Sequence, residues 1–178
     1  YEVDKEFINM LADFGMEELL LPFESKSNEM LQKYATGKFD TEKMLPFGIV
    51  KSIKEVNINA RSIFLVGFRD ESWESVLETK EFAKNLFAEG LDQVGFSIPV
   101  AYPGTQDFEY EMKKSGARKH FDENLLKYTD FMHPLLPPLF ATKVSGERLV
   151  AACREFWQEI NDKKYIKMTE EKLLEVPI

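Results

Sequence analysis

The chain has 178 residues, 44% of them hydrophobic and 30% charged, and a formal net charge of −8. That balance suits a globular domain with a sizeable core, and no apolar run approaches the roughly 20 residues of a membrane span. The negative charge argues against nucleic acid as a partner, and a single cysteine, Cys153, excludes an intrachain disulfide and points to the cytoplasm.

The opening YEVDKEF is acidic, begins without Met and lacks the basic-then-apolar layout of a signal peptide. Val3, Phe7, Met10, Leu11 and Phe14 recur at helical spacing, and Gly15 suits a helix end. EELLLPF, residues 17–23, reads as a first strand. Ser27 can cap a short helix from Asn28 to Ala35. Asp40 can cap another, in which Leu45, Ile49, Ile53 and Val56 share a face and Pro46 is tolerated only near the first turn. RSIFLVGF, residues 61–68, is a second strand, followed by a helix from about Ser72 to Glu89 that Gly90 closes. Residues 93–100 form a third strand, ending in AYPGT, and Gln106 to Lys114 a further helix. After Gly116 the pattern weakens, and the proline-rich stretch 133–146 reads as a wrapping loop. Ser145 then caps a helix from about Glu147 to Asn161, and Thr169 a short last one.

The strands are short and apolar without alternation, and helices separate them, which is the pattern of parallel strands covered by helices. Three strands are few for an open sheet, and a complete (β/α)8 barrel takes about 250 residues. The expected fold is therefore α/β: a partial (β/α) TIM-type barrel of parallel strands over residues 1–116, then a wrapping loop and a C-terminal helical tail over 117–178.

Ligands of parallel α/β folds sit at the carboxyl ends of the strands. The first strand leads into Glu24, Ser25 and Ser27, the second into Gly67, Asp70, Glu71 and Ser72, the third into Tyr102, Pro103, Gly104 and Thr105. Plainer roles stand beside these. Ser27 and Ser72 suit helix caps, Asp70 and Glu71 suit a helix start, and Gly67 lets the backbone turn. Glu24 is harder to absorb, because it directly follows an apolar strand. His120 and His133 are the only histidines and have no partner at metal-ligand spacing, so no metal site is expected. Cys153 shares a helical face with Leu149, Ala152, Phe156 and Ile160 and reads as a core thiol.

Three segments occur in order over residues 5–115: Pro22-Phe23-Glu24-Ser25-Lys26-Ser27, Gly67-Phe68-Arg69-Asp70-Glu71-Ser72 and Ala101-Tyr102-Pro103-Gly104-Thr105. Together they resemble the second half of a radical S-adenosylmethionine enzyme. The branch is the one with cobalamin-dependent and magnesium-protoporphyrin monomethyl ester cyclase-like members, whose strands end in Gly-Ile-Glu-Ser-Gly-Ser, Gly-Leu-Pro-Gly-Glu-Thr and Pro-Tyr-Pro-Gly-Thr. Pro22 and Lys26 stand where that branch has Gly, and Arg69-Asp70 where it has Pro-Gly.

The resemblance implies an oxidoreductase or methyltransferase acting on a small molecule with S-adenosylmethionine and a [4Fe–4S] cluster, in many members with cobalamin in an upstream domain. Glu24, with Ser25 beside it, would meet a ribose or amino group of the cofactor. Lys38 would offset the cofactor carboxylate, and Gly67 with Tyr102, Pro103, Gly104 and Thr105 would shape the adenosyl pocket. The family holds its cluster with three closely spaced cysteines, which this chain lacks. The expectation is therefore a fragment, inactive alone, whose partner is the missing N-terminal half of the barrel. Its bare edges would dimerise or lie under its own tail. The alternative is a non-catalytic α/β interaction module that has lost its cluster site.

Overall fold

Three parallel strands, hydrogen-bonded in the order β1-β2-β3, make the sheet: β1 (Glu18–Glu24), β2 (Asn59–Leu65) and β3 (Gln93–Ser97). The structure, a computed structural model, describes residues 4–34, 45–128 and 142–161. The helices are α1 (Lys5–Asp13), α2 (Asn28–Tyr34), α3 (Pro46–Glu55), α4 (Trp73–Glu89), α5 (Gln106–Met112), α6 (Ala117–Tyr128) and α7 (Gly146–Ile160).

Local chemistry sets most boundaries. Ser72, Thr105 and Ser145 each accept a backbone N–H from the first turn of α4, α5 and α7, satisfying a donor that the helix itself leaves free. Ser27 does the same for Met30 at 3.3 Å. Gly90 ends α4 at φ 138°. Pro46 is the first residue of α3, where its missing N–H costs nothing. Leu45 therefore precedes the helix instead of lining it, in a left-handed conformation and 70% exposed. Asp40, Thr169 and most of the expected wrapping loop lie outside the described residues.

Proline within β1 is accommodated by a bulge. Leu21 pairs with Ser62 and Glu24 with Phe64, so three residues of β1 advance against two of β2, with Pro22 in the extra space.

The expectation of uniformly buried strands does not hold. On β2, Ala60, Ser62 and Phe64 are buried while Asn59, Arg61 and Ile63 are exposed. The covered face meets α3, α4 and α7 in one core that includes Phe23, Ile53, Phe64, Leu86, Phe96, Leu149 and Phe156. Aromatic rings run through it from Phe23 to Phe82, Phe64, Phe96 and Phe156. The opposite face shows Leu20 and Ile63 to solvent, with Glu18 and Arg61 ion-paired at 2.7 Å. Sequential parallel strands with helices on one side are what right-handed crossovers all winding the same way produce, as in a barrel wall.

Two expectations about helices also change. In α1 the buried residue is Ile8, with Leu11 and Ala12 against the core, while Phe7, Met10 and Phe14 of the expected stripe are exposed. α6 falls where no helix was expected. It packs with α5 around Phe108 and Phe121, in a small cluster distinct from the main core among the described residues.

The tail begins as part of the core. α7 buries Leu149, Ala152, Cys153, Phe156 and Ile160. Asn161 just beyond it accepts the N–H of Val94 at 2.8 Å and donates to the carbonyl of Val94 at 2.8 Å, occupying the outer edge of β3 at that residue. No helix among the described residues is long and apolar enough to cross a membrane.

Candidate functional site

The parallel register brings the ends of the three strands to one edge. Glu24 lies opposite Phe64, Phe64 opposite Phe96, and Leu65 opposite Ser97. The segments 24–27, 66–72 and 98–105 leave the sheet there.

Glu24 is the conformationally unusual residue of this edge. It holds φ 58°, and Ser25 N–H donates to the Phe23 carbonyl at 2.7 Å across it. A three-residue turn of this kind about a positive φ is rare and strained, and a residue with a Cβ adopts it at a cost of about 1–2 kcal/mol. Glu24 is half-buried and has partners of its own. Such strain concentrates at sites where a side chain must be held in one direction.

Ser25 turns inward. It is fully buried, its hydroxyl lies 3.2 Å from that of Thr79 on α4, and it accepts Ser27 N–H at 3.1 Å. In this arrangement Ser25 ties the loop to α4. Lys26 projects outward, its ammonium 5.7 Å from the Phe82 ring centroid. Lys38 lies outside the described residues.

Gly67, at φ 90°, has a second reason to be glycine. A Cβ there would come within 2.4 Å of Leu149 Cδ1. The turn past β3 is self-supported. Thr105 donates both its N–H and its hydroxyl to the Tyr102 carbonyl, at 3.0 and 2.7 Å. Gly104 takes φ 90° with open space around it, and the Tyr102 ring is 43% exposed. Pro103 and Thr105 are exposed as well.

The loop after β2 contains a residue whose role the sequence did not reveal. Glu71 is fully buried. Its Oε2 accepts the N–H groups of Gly67 at 2.7 Å and Phe68 at 3.2 Å, and its Oε1 accepts the Ser75 hydroxyl at 2.9 Å. Burial pushes its pKa up, against the opposing pull of these three bonds. The available signal was an acid four residues after a glycine at a strand end, which an acid at a helix start explains equally well.

At the tip of this loop, adjacent opposite charges reach opposite ways. Asp70 accepts the Tyr34 hydroxyl at 2.7 Å and pairs with Lys33, both on α2. Those hydrogen bonds, Lys33 first, hold its carboxyl below the usual range. Arg69 pairs with Asp107 of α5 at 2.7 Å and lies 4.0 Å from the Tyr110 ring centroid. Tyr34 stacks on Phe68, centroids 5.1 Å apart.

Among the described residues no group of three or more His, Cys, Asp or Glu side chains could hold a metal ion. The one cysteine, Cys153, sits in the core of α7, where burial pushes its thiol up to about 12. A neutral buried thiol does not fit iron–sulfur ligation, which requires thiolates. The edge itself presents the half-buried Glu24 and the exposed Tyr102–Thr105 turn.

No protein-family model matches the chain. Over 61 residues it is 41% identical to an uncharacterized methyltransferase of Pyrococcus horikoshii, a stretch that is 34% of this chain and 13% of that protein.

Proposed function

We propose that this chain is the C-terminal part of the barrel of a radical S-adenosylmethionine enzyme, and that its strand ends line part of the S-adenosylmethionine site. The observation that carries the reading is Glu24. A half-buried glutamate on a strained backbone ends the first strand of a one-sided parallel sheet, at the edge where such folds hold their ligands. The methyltransferase name of the partial relative is compatible with use of S-adenosylmethionine. The blocked edge of β3 supports its place as the last strand of the wall, with residues 117–178 as the trailing segment.

In this reading Glu24 accepts hydrogen bonds from the amino or ribose groups of the cofactor, and Lys38 offsets its carboxylate. The Tyr102–Thr105 turn flanks the adenosyl group. Ser25 and Gly67 hold the loops that present these groups. The cofactor, with its cluster, supplies the radical chemistry on a small-molecule substrate. Cluster ligands, and any cobalamin, come from outside this chain, because Cys153 does not fit the role.

The test is calorimetric titration of S-adenosylmethionine against the anaerobically reconstituted full-length gene product and its Glu24→Ala variant. A charge-assisted hydrogen bond is worth about 1.5–3 kcal/mol, so affinity should fall roughly ten- to a hundredfold with iron content unchanged. Equal affinities remove Glu24 from the site. A full-length product that binds neither iron nor S-adenosylmethionine would instead be a non-catalytic module.

A further inference from the structure

We propose that the outer edge of β1 and the flank of α1 bearing Phe7, Met10 and Phe14 form one docking face, and that its occupant is a further strand–helix unit of the full-length polypeptide. This rests on the reading of the chain as part of a larger α/β protein and makes no use of a cofactor.

The helices cover the sheet in the order of the strands. Among the described residues α3 packs against both α1 and α4, and α7 lies on α4 and β3, so α1 ends the layer on the β1 side. Ile8, Leu11 and Ala12 seat α1 in the main core. The Lys5 ammonium pairs with Glu55 of α3 at 2.6 Å, which marks the flank of α1 that faces α3. With about 3.6 residues per turn, Phe7, Met10 and Phe14 lie roughly 140–200° around from Lys5, on the flank turned away from α3. All three are exposed, Phe14 at 84%.

The sheet is open on the same side. Among the described residues β1 pairs only with β2, and its outer edge carries no strand. One geometry accounts for both openings. Each parallel connection, β1 to β2 and β2 to β3, moves one place along the sheet with its helices on one face. α1 lies in that layer and leads into β1, which is the position of a crossover helix. A right-handed crossover through α1 starts from a parallel strand at the outer edge of β1. The helix that precedes such a strand lies against Phe7, Met10 and Phe14 and removes their apolar surface from water.

The partial relative is longer than this chain, since the shared stretch is 34% of the one and 13% of the other, and that length accommodates further units. A second copy fits less well. A twofold axis would either run its β1 antiparallel or lay its helices on the opposite face, and neither continues this sheet.

Thiol labelling, read by peptide mass spectrometry with nothing bound, tests the face by comparing the full-length gene product with the 178-residue chain. Phe14→Cys should react readily in the chain alone and at least about tenfold more slowly in the full-length product. Lys51→Cys, on the exposed surface of α3, should react alike in both. Hydrogen exchange of wild type gives a second measurement that needs no variant: the amides of β1 should exchange at least about tenfold more slowly in the full-length product. Equal labelling of Phe14→Cys and equal exchange of β1, or a full-length product no longer than this chain, overturns the proposal. Protection in the chain alone that is lost on dilution, with a dimer in light scattering, assigns the face to a second copy and overturns it too. A protected Phe14→Cys in a full-length product that binds no S-adenosylmethionine upholds the face and removes the cofactor reading.

Discussion

The carboxylate of Glu71 reaches back four residues to the backbone N–H of Gly67 and accepts it at 2.7 Å. The same oxygen takes the next N–H, of Phe68, so one buried side chain closes the loop from below. Glu71→Ala strands both donors and should cost about 2–4 kcal/mol in urea unfolding. Glu71→Gln keeps an acceptor for the backbone and should lie within about 1 kcal/mol of wild type at neutral pH.

The same pair of variants gives a pH signature. Burial raises the Glu71 pKa, so the folded chain keeps this proton to higher pH than the unfolded chain. The proton-linked part of the Glu71 contribution to stability is therefore complete below the unfolded carboxylate value and is lost as pH rises through the folded one, while its bonds to Gly67 and Phe68 persist. Unfolding midpoints of wild type against Glu71→Gln across that window should converge toward high pH with a slope that the variant lacks. Parallel curves would refute the assignment.

Gly67→Ala meets two obstacles at once, a φ of 90° and a Cβ 2.4 Å from Leu149 Cδ1. It should cost about 2–4 kcal/mol. Because the Leu149 tip can move, the penalty should shrink when Gly67→Ala is made in Leu149→Ala, which a double-mutant cycle in urea would show as coupling.

At Glu24 the backbone and the side chain can be separated. Alanine removes the carboxylate and keeps the positive-φ penalty, while glycine removes both. Glu24→Gly should therefore be more stable than Glu24→Ala by about 1 kcal/mol, although both lose the same ligand contacts. A glycine variant less stable than the alanine one would mean that the turn is not strained in solution.

The Cys153 thiol, pushed up to about 12, should stay silent toward thiol reagents while the chain is folded. At pH 8 its thiolate fraction is on the order of one in ten thousand. Denaturant should release one equivalent of reactive thiol. Anaerobic reconstitution of this chain with iron and sulfide should give no stoichiometric [4Fe–4S] absorbance, and a cluster abolished by Cys153→Ala would overturn the fragment reading.

Much of the fold was legible because short-range chemistry fixes it. Ser72 and Gly90 bracket α4, Ser145 caps α7, and the Pro103-Gly104 turn stops the chain before α5. What was hidden depends on which apolar side chains find a partner. Phe7, Met10 and Phe14 make as good a helical stripe as Ile8, Leu11 and Ala12, and only the packing of α1 on α3 selects the second. Leu19, Leu20 and Leu21 look alike, yet Leu20 faces solvent at 56% exposure. α6 is too polar for its period to stand out. At the site, the strand-end positions of Glu24, Gly67 and Tyr102 could be read directly. The turn at Glu24 could not, because a positive φ at a glutamate has no residue signal, and neither could the inward rotation of Ser25.

The grip of Asn161 on Val94 gives the sheet a direction of growth. A side-chain amide that offers one donor and one acceptor imitates a neighbouring strand, and so β3 is closed to strand addition at that residue. β1 pairs only with β2 among the described residues. Among the described residues, the sheet thus has β3 capped at Val94 and, on the other side, β1 with no further strand along its outer edge. Two copies meeting through β1 about a twofold axis would use it up and close, whereas a fibril needs both ends of every unit. Asn161 thus works against strand addition on the β3 side of the sheet.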